Sequence, residues 1–562
     1  MIAFVNESAD NESMFVREKT ARGHTYLYLV ENEREGGRIR QRIIRALGRK
    51  EVLIASGELE RLAASLARHC DRAIILSDMA AGHIACTRIG GPLLFGRLWE
   101  RLGIAAVLDE LLAGRGFEFA VERAVFVSVL HRLFVSGSDR SGDKWMADYQ
   151  IAGIDELALH HLYRAIAWLG EETAPAGRGT LAPRCVKDLI EERLFEQRRD
   201  LFSDLSLVFM DTTSLSFCGA GGESLGAYGH SKDHRPDLKQ MVLAVVIDGD
   251  GRPICTEMLP GNTADATVLL PVVDRLRERF HIGRVCVVAD RGMISAATIA
   301  ALEERKLEYI LGARERSSAV IRRFVLDDEQ PLTPLLIERA RGETQLFVKE
   351  VKVGTARYIL CRNEAEAKRN RTERQAIVAG LGKQLARGDK ALIGNSAYRR
   401  YLRRTRTGTG KPGPAFEIDP GKLAEEARYD GLFVLRTNAK ITPLQAVLRY
   451  RDLLQVEDLF RRAKAILRTR PIYHSSDAAI RGHVFCSFLA LMLQKELADL
   501  CKTQGLVIEW SDLLRDLDRL QEATIEKDGK RITTRTAVAG QVGRVFQAAG
   551  VGLPPNLHER TA

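Results

Sequence analysis

The sequence lacks the features that mark membrane, secreted and disulfide-bonded proteins. No apolar run approaches the roughly 20 residues that a membrane-spanning helix needs. The first residues, MIAFVNESADNES, contain no apolar stretch long enough for a signal peptide. The nine cysteines are scattered singly and none forms a C-x-x-C pair, which argues against a zinc ribbon and a disulfide framework. These absences predict a soluble protein of a reducing compartment, most simply the cytoplasm, with no membrane partner.

Several signatures of nucleotide-binding and zinc enzymes are also missing. The glycine-rich segment 219–226 has Ser224 where a dinucleotide-binding loop needs its third glycine. TGTGKP has Pro412 where a phosphate-binding loop needs Ser or Thr. No H-E-x-x-H motif occurs, and histidines such as His474 and His483 show no metal-ligand spacing. We therefore interpret the glycines as turns and the histidines as surface or core residues.

The composition is that of a globular protein with a mild excess of positive charge. A chain of 562 residues predicts two to four domains. Hydrophobic residues make up 45% and charged residues 28%, which excludes a collagen-like or disordered chain. The 84 Lys and Arg exceed the 74 Asp and Glu, for a net charge of +10. This excess favours a polyanionic partner, although an ordinary basic cytosolic protein is an equally fair interpretation of the number alone.

The residue pattern changes several times along the chain. Strand-like alternation comes first, helical spacing follows, and strands then alternate with helices, with one interruption by strand-like pieces and basic turns. This order predicts an α/β fold with a mixed sheet and a β-rich insertion, preceded by a small β element and a helical region. The predicted regions are the β-rich element 1–60, the helical region 61–200, the first half of the mixed core 201–314, the insertion 315–435, the second half of the core 436–500 and a helical tail 501–562.

Two carboxylates each close an apolar run that is typical of a buried strand. Asp211 follows LVFM and Asp290 follows VCVVA. A carboxylate at the end of a strand lies at the sheet edge, where a metal ion or substrate can reach it. Turn initiation is the ordinary alternative reason for an Asp at this place. Neighbouring strands lie about 5 Å apart, so the two carboxylates could share a metal ion if their strands are adjacent.

A long predicted helix, from about 443 to 468, offers a third oxygen ligand in Glu457. Hard divalent cations such as Mg²⁺ favour carboxylates and water over His or Cys. Tyr450, Glu457 and Lys464 recur every seven residues, which places them on nearly the same face, two turns apart. An amphipathic helix with solvated acids is the ordinary alternative.

In combination, these motifs resemble the bacterial insertion-sequence transposases of the DDE type, specifically the group marked by a Tyr–x2–Arg–x3–Glu–x6–Lys helix. Tyr450, Glu457 and Lys464 match that signature in identity and spacing, whereas Leu453 stands where the family usually has Arg. Arg449 and Arg451 are the alternatives for its phosphate contact. Family-like motifs accompany the signature over about 205–495: MDTTS, ADRG, GNTAD, RPIYH and IRGHVFCSFLAL.

The resemblance implies a ribonuclease H-like fold with a β-rich insertion before the last acid. It implies two Mg²⁺, with Mn²⁺ as a substitute, held by Asp211, Asp290 and Glu457. The implied reaction is cleavage of DNA strands at the ends of an insertion sequence and their transfer into target DNA. The implied partners are double-stranded DNA, namely the terminal inverted repeats and the target, with a homodimer or higher assembly to hold two ends. Region 61–200 would bind the element ends.

Basic residues in the sequence indicate where the DNA backbone is contacted. The densest basic stretch, YRRYLRRTRTGTGKPG, interleaves tyrosines with arginines, and a solvated basic loop is an equal alternative. A second cluster, GHSKDHRPDLKQ, precedes a predicted strand, and Arg291 follows the second acid. The predicted DNA contacts are Tyr450, Lys464, Lys239, Arg291, Arg399, Arg400, Arg403 and Arg404.

Two other functions remain open at this point. A ribonuclease H-like nuclease would cut DNA without joining it. A non-catalytic DNA-binding relative would keep the fold without the reaction, but it would have no chemical need for Asp211, Asp290 and Glu457 together.

Overall fold

The computed structural model describes most of the chain, in thirteen segments. They are 14–35, 38–67, 69–70, 83–174, 182–198, 207–282, 285–313, 318–339, 342–386, 400–404, 416–466, 469–527 and 530–559. None of the helices in these segments is long and apolar enough to cross a membrane. The chain divides into two compact units, one made of Met1–Gly90, Ser511–Gly543 and Gly552–Ala562, the other of Gly91–Trp510 and Arg544–Val551.

The amino-terminal strands are the ones that the alternating sequence predicts. β1, β2 and β3 form a three-stranded antiparallel sheet, in which Leu27 and Val30 are buried. Two short helices follow, then a strand that joins a different sheet. The elements are β1 (Met14–Ala21), β2 (His24–Glu35), β3 (Arg38–Arg49), α1 (Lys50–Ala55), α2 (Glu58–Ala67) and β4 (His83–Arg88).

The next region is helical, as its three- and four-residue apolar spacing predicts. Its central helix is buried almost all round, from Val121 to Leu133, which explains why its sequence has few charges. A 3-10 turn (Met146–Asp148) and a short two-stranded sheet interrupt the helices. The elements are α3 (Gly90–Arg101), α4 (Ile104–Leu112), α5 (Val121–Phe134), α6 (Asp139–Trp145), α7 (Leu159–Leu169), β5 (Glu172–Ala174), β6 (Arg184–Cys185) and α8 (Val186–Arg198).

A mixed sheet of nine strands follows, which confirms the predicted α/β fold with a mixed sheet. Its first half consists of an antiparallel meander and then strands that alternate with helices. A 3-10 turn (Arg291–Met293) separates β10 from α10. The elements are β7 (Leu207–Ser216), β8 (Gln240–Asp248), β9 (Pro253–Pro260), α9 (Asp265–Phe280), β10 (Cys286–Ala289), α10 (Ala296–Glu304) and β11 (Glu308–Gly312).

The remaining elements of this half of the chain complete the sheet and cover it. In the described part of the chain, π-helical turns lie at Ile321–Val325 and Arg462–Ile466. The elements are β12 (Thr333–Arg339), β13 (Gly342–Val353), β14 (Ala356–Arg362), α11 (Glu364–Leu385), β15 (Leu402–Arg404), β16 (Phe416–Ile418), α12 (Pro420–Ala427), β17 (Leu432–Thr437), α13 (Pro443–Asp452), α14 (Leu454–Arg461) and α15 (Asp477–Thr503). The strand order is β12-β13-β14-β17-β11-β10-β7-β8-β9.

The pleat of β7 decides which side chains face which layer. Val208 and Met210 belong to the core cluster that includes Val268 and Leu269 of α9. Because successive side chains of a strand point to opposite faces, Asp211 and Thr213 lie on the other face. A small cavity on that face is lined by Thr213 and Leu215 of β7 together with residues of α14 and α15. Asp211 therefore faces the layer that carries α14.

The predicted β-rich insertion contributes to the main sheet. β12, β13 and β14 extend the sheet by three strands, with β14 paired to β17. A separate core of residues such as Val351, Tyr358, Leu360 and Val434 lies on this extension. The hairpin of β15 and β16 packs with α11 in a small cluster around Leu381.

The long helix predicted from about 443 to 468 is interrupted in the structure. A capping box, in which the Thr442 hydroxyl accepts the Gln445 amide hydrogen, begins α13, and Pro443 occupies its first position. The helix breaks at Leu453, continues as α14 and ends in the π-helical turn Arg462–Ile466. Leu453 is only 5% exposed, so the break is part of the packed structure. Sequence periodicity does not detect a one-residue break of this kind.

The last region contains strands where the sequence predicts a helical tail over 501–562. After α16 (Trp510–Arg519), β18 (Gln521–Lys527) and β19 (Lys530–Arg535) form a hairpin, followed by α17 (Val542–Ala549) and β20 (Leu557–Glu559). β18 also pairs with β4, which lies more than 400 residues earlier in the chain. This long-range pairing gives the hairpin a partner strand that local sequence patterns do not reveal.

Candidate active site

Asp211 and Asp290 lie on neighbouring strands of the sheet. β7 and β10 are adjacent and parallel, with Met210 paired to Ala289. Asp211 follows Met210, and Asp290 directly follows Ala289, so the two carboxylates are carried at the same level of adjacent strands. The adjacency on which a shared metal ion depends is therefore present in the structure.

Asp211 is partly buried, whereas Glu457 is exposed. Its side chain is 18% exposed, and its Oδ1 accepts the Thr212 backbone N–H at 2.7 Å. Burial raises the pKa of Asp211 to about 6; the Lys232 ammonium and the Thr212 hydrogen bond oppose the rise, and the charges of Asp290 and Glu457 add to it. The charges of the other two predicted acids therefore both act on Asp211.

Tyr450 holds the second acid. Its hydroxyl donates to Asp290 Oδ1 at 3.0 Å, across from α13 to the end of β10. The ring stacks near Phe433, with centroids 6.4 Å apart. Gly312, at the end of β11, leaves room for the hydroxyl, since a Cβ there would lie 2.3 Å from Tyr450 Oη. The lack of a side chain at position 312 thus permits the contact between tyrosine and carboxylate.

Glu457 projects from the exposed side of α14. Its neighbours Val456, Leu459 and Phe460 on the same helix are buried. Together, Asp211, Asp290 and Glu457 offer only carboxylate oxygens, the donor set that suits a hard divalent cation such as Mg²⁺ or Mn²⁺. These residues therefore fit the metal that the sequence motifs imply.

Three residues around Asp211 were not among the predicted site residues. Lys232 Nζ lies 3.9 Å from Asp211 Oδ1 and 3.2 Å from Asp265 Oδ2. Asp265, the first residue of α9, accepts the Thr212 hydroxyl at 2.8 Å, and Thr212 in turn accepts from Lys232 Nζ at 2.7 Å. Each of the three residues lies in a motif that the sequence analysis noted: Thr212 in MDTTS, Asp265 in GNTAD and Lys232 in a basic cluster. Their contacts with one another are visible only in the tertiary structure.

Lys464 contacts an acid of its own. Its Nζ lies 3.0 Å from Asp233 Oδ1, and the other oxygen of Asp233 pairs with Arg470. Burial lowers the pKa of Lys464, and Asp233 opposes that change. Tyr450 and Lys464 thus contact different acids, although they belong to one series of seven-residue intervals.

The other predicted DNA-contacting residues are more scattered. Arg291 is exposed and directly follows Asp290, so it adjoins the site. Lys239 precedes β8, whose first residue pairs with Ser216 at the far end of β7, five residues beyond Asp211. At about 3.4 Å per residue this is about 17 Å along the strand, so Lys239 is not brought to the carboxylates.

The basic stretch around residue 400 is partly paired with acids. Arg400 lies 3.9 Å from Glu426, and Arg403 pairs with Glu417 across the hairpin of β15 and β16. Arg404 is in β15, and Arg399 lies outside the described residues. The proposed DNA contacts of these arginines stay predictions.

The position where the family usually has Arg is filled by a buried leucine, Leu453, at the helix break. Arg449, one alternative, is a partner of Cys286: burial raises the pKa of that thiol to about 12, and the Arg449 guanidinium opposes the rise. Cys286 begins β10, at the opposite end from Asp290, so Arg449 is not at the site. Arg451 has a buried Nη1 with no hydrogen-bond partner among the described residues, and its role stays a prediction.

The glycine-rich segment that fails the dinucleotide motif holds a carboxylate of the protein itself. The backbone N–H groups of Glu223 and Ser224 donate to Asp477 Oδ1 at 3.0 and 3.2 Å. A Cβ at Gly222, where φ is +81°, would lie 2.1 Å from the same oxygen. The loop is therefore an internal anchor for the start of α15.

Among the described residues, one largely buried group of potential metal ligands lies elsewhere, formed by Asp139, His474 and His483. His483 Nδ1 accepts from Arg132 at 2.9 Å, and its Nε2 donates to Thr469 O at 3.2 Å, so both ring nitrogens are engaged. The Arg132 guanidinium is also 3.8 Å from Asp139. The Arg132 guanidinium already provides a cation to this cluster, and we interpret the cluster as structural.

Two family models match the chain. The transposase DDE domain matches residues 202–493, and the N-terminal domain of IS1634 family transposases matches residues 16–80. No curated protein shows a significant match.

Solved structures give weak likenesses. The synaptic complex of piggyBac transposase with hairpin DNA aligns over 76% of this chain and 78% of that chain, at 11% identity and a TM-score of 0.34. The Mos1 transposase paired-end complex with the left transposon end aligns over 39% of this chain and 77% of that chain, at 13% identity and a TM-score of 0.14. At these TM-scores the two likenesses carry no weight for function.

The DDE-domain match spans more than half of the chain and includes all three predicted acids. Enzymes of this family depend on divalent metal ions, in agreement with the carboxylate donors at the site. The chain therefore belongs to the DDE transposases of insertion sequences.

Proposed function

We propose that this transposase cuts DNA at the ends of its insertion sequence and joins the freed ends to target DNA at the site formed by Asp211, Asp290 and Glu457. The observation that carries the proposal is the placement of Asp211 and Asp290 at the same level of adjacent parallel strands, with the charge of Glu457 close enough to raise the pKa of Asp211. A site made of carboxylates suits phosphoryl transfer, which mainly requires positioning and charge stabilisation.

Two Mg²⁺, replaceable by Mn²⁺, are the proposed cofactors. When bound, two such ions activate an attacking water or 3′-hydroxyl and stabilise the leaving oxygen. The chain's own contribution is to orient the ligands. Tyr450 fixes one oxygen of Asp290, and the Thr212 amide fixes one oxygen of Asp211. Lys232 provides a positive charge beside Asp211.

The proposed partner is double-stranded DNA, as element ends and as target. Tyr450 and Lys464 would contact a phosphate near the cleaved bond, as their match to the Tyr–Arg–Glu–Lys signature suggests. Residues 61–200 would bind the terminal repeats, and a homodimer or higher assembly would hold two ends together. These assignments rest on the family resemblance and on the basic side chains that adjoin the acids.

The test is cleavage and joining of DNA that carries the element's own ends, in the presence of Mg²⁺. Asp211→Asn, Asp290→Asn and Glu457→Gln should each reduce cleavage by more than about a thousandfold because each removes a ligand charge. End binding, measured by gel shift, should stay within a few fold of the native chain. Asp458→Asn is the matched control, because Asp458 neighbours Glu457 but pairs with Arg461 and Arg462 on the surface.

Two outcomes would contradict the proposal. Cleavage by Glu457→Gln at the rate of the Asp458→Asn control would mean that a different acid is the third ligand. Cleavage by the native chain without joining of a precut end would instead favour a nuclease of the same fold.

A further inference from the structure

Asp233 bridges two cations beside the proposed catalytic acids. Its Oδ1 lies 3.0 Å from Lys464 Nζ, and its Oδ2 pairs with the Arg470 guanidinium. Side-chain exposure is 16% for Asp233 and 12% for Lys464. This arrangement is a small, largely enclosed anion site whose present occupant is a carboxylate of the chain itself.

The backbone segments that carry the two cations are held in place by contacts that do not involve Asp233. Lys464 belongs to the π-helical turn that continues α14. Arg470 lies in a segment fixed to the end of β7, where the Ile472 N–H donates to Ser216 O at 3.1 Å and the Cys218 N–H donates to Ile472 O at 2.9 Å. Removal of the Asp233 charge should therefore leave both backbone segments in position.

Asp233 itself is carried by a surface loop with its own anchor. The preceding residue, Lys232, donates its backbone N–H to Ser214 Oγ at 3.0 Å and its Nζ to Thr212 O at 2.6 Å. Two adjacent residues thus reach opposite charges: Lys232 reaches Asp211 and Asp265, and Asp233 reaches Lys464 and Arg470. The anion site is consequently only one residue away from a contact to the proposed metal-binding carboxylates.

The chemistry of the site fits a phosphodiester. A carboxylate that pairs with a lysine through one oxygen and an arginine through the other presents the same pair of acceptors as the two non-bridging oxygens of a backbone phosphate. Charge-assisted contacts of this kind are strong, and arginine is the side chain best suited to phosphate oxygens.

We propose that Lys464 and Arg470 together bind one backbone phosphate of the DNA and that Asp233 occupies this site until the phosphate displaces it. Arg470 becomes a DNA-binding residue, and Asp233 becomes an internal competitor of DNA. This inference rests on the proposed function, because it places the phosphate next to the bond that is cut.

The experiment measures binding of the full-length chain to a short DNA duplex of arbitrary sequence, by fluorescence anisotropy in EDTA over a series of salt concentrations. Asp233→Asn should bind DNA about three- to tenfold more tightly than the native chain, because the phosphate no longer competes with a carboxylate. Asp237→Asn is the matched control, since Asp237 lies in the same loop and pairs only with the exposed Arg235 among the contacts described. The control should bind like the native chain.

Arg470→Gln gives a second, independent readout. Loss of one phosphate contact should weaken binding and reduce the slope of log K against log salt by about 0.9. In the Arg470→Gln background, Asp233→Asn should lose most of its effect. A purely structural role of Asp233 would produce neither the change in slope nor the dependence on Arg470.

Several outcomes would overturn the inference. Equal or weaker DNA binding by Asp233→Asn, with an unchanged thermal unfolding temperature, would show that Asp233 supports the two cations instead of competing with DNA. An unchanged salt slope in Arg470→Gln would remove Arg470 from the interface. Because the assay omits metal, these failures concern the anion site alone, whereas a native chain that does not bind any duplex would also defeat the proposed function.

Discussion

At the scale of single residues, Asp211 combines enclosure with contacts of both signs of charge. It is largely buried, it accepts a backbone N–H, and it lies between the Lys232 ammonium and the charges of Asp290 and Glu457. A carboxylate placed among other carboxylates costs folding free energy unless a cation compensates. Lys232 and a bound divalent ion are the cations that the site can use.

The raised pKa of Asp211 predicts a pH-dependent stability cost. The pKa is about 6 in the folded metal-free chain, above the unfolded value of about 3.9, so the folded state binds the extra proton between these values. The loss of folding stability caused by the charge of Asp211 is therefore complete above pH ~6 and absent below pH ~4. In EDTA, Asp211→Asn should stabilise the chain by about 1 to 3 kcal/mol at pH 7 to 8.

Urea unfolding at several pH values measures this effect, and the gain should disappear as the pH falls towards 4. Asp237→Asn, in an exposed pair, serves as the control and should show no such pH-dependent gain. A gain from Asp211→Asn that is the same at pH 4 and pH 8 would show that the charge of Asp211 is not its cause.

Gly312 predicts a steric test of the tyrosine contact. Gly312→Ala would place a Cβ 2.3 Å from Tyr450 Oη, so the hydroxyl must leave Asp290. We expect cleavage to fall about tenfold or more, as in Tyr450→Phe, because both changes remove one orienting hydrogen bond. Single-turnover cleavage rates measure the effect.

The double variant Gly312→Ala with Tyr450→Phe should be no slower than Tyr450→Phe alone, since the contact can be lost only once. Gly382→Ala is the control, because no atom lies within 4 Å of a Cβ at that position. If the double variant instead lost cleavage rate by the product of the two single fold-losses, Gly312 would affect cleavage independently of the contact between Tyr450 and Asp290.

At the scale of elements, an ion network joins α8, β9 and α9 behind the sheet. Arg279 donates to Glu191 at 2.7 Å and to Glu192 at 2.8 Å, and its Nη1 is 3.3 Å from Glu257. Lys187 and Asp188 complete the buried part of the network. The network fixes α9, whose first residue is Asp265, and so it supports the surroundings of Asp211 from the opposite face of the sheet.

Arg279→Ala should therefore destabilise the chain by about 3 to 5 kcal/mol, because it removes a buried cation that contacts several buried carboxylates. Arg305→Ala is the control on the neighbouring helix end, since Arg305 pairs with the half-exposed Asp274. The control should cost at most about 1 kcal/mol. Urea unfolding measures the loss of unfolding free energy in both variants. Equal losses would show that burial of the network does not determine its contribution to stability.

At the scale of the whole molecule, metal binding should couple to the stability of the folded chain. The three acids come from β7, the end of β10 and α14, so an ion held by all of them binds the folded state only. Mn²⁺ at about a hundred times its dissociation constant should contribute about 2.7 kcal/mol. Differential scanning calorimetry should show a higher unfolding temperature for the native chain.

Asp211→Asn and Glu457→Gln should lose most of the Mn²⁺ shift, whereas Asp458→Asn should keep it. An equal shift in all four proteins would show that Mn²⁺ binds elsewhere. This experiment measures binding without any DNA, so it separates the ligand assignment from the proposed reaction.

The sequence by itself determined the mixed α/β character, the strand that ends just before Asp290, and the spacing of Tyr450, Glu457 and Lys464. These features depend on local alternation and on identities at fixed spacing, which a linear pattern records. The same local patterns identified the three amino-terminal strands, from Met14 to Arg49. The sequence also predicted a strand end at Asp211, which was wrong, because β7 continues through Asp211 to Ser216 in its pairing with β8.

Only the tertiary structure decided which charges meet. The parallel pairing of β7 with β10, the break at Leu453 and the pairing of β18 with β4 all depend on contacts between distant parts of the chain. The same holds for the roles of Lys232, Asp233, Asp265 and Arg470, whose partners are far away in sequence. Burial and long-range pairing overrule local preference at these places, because their free energy comes from surfaces that only the folded chain brings together.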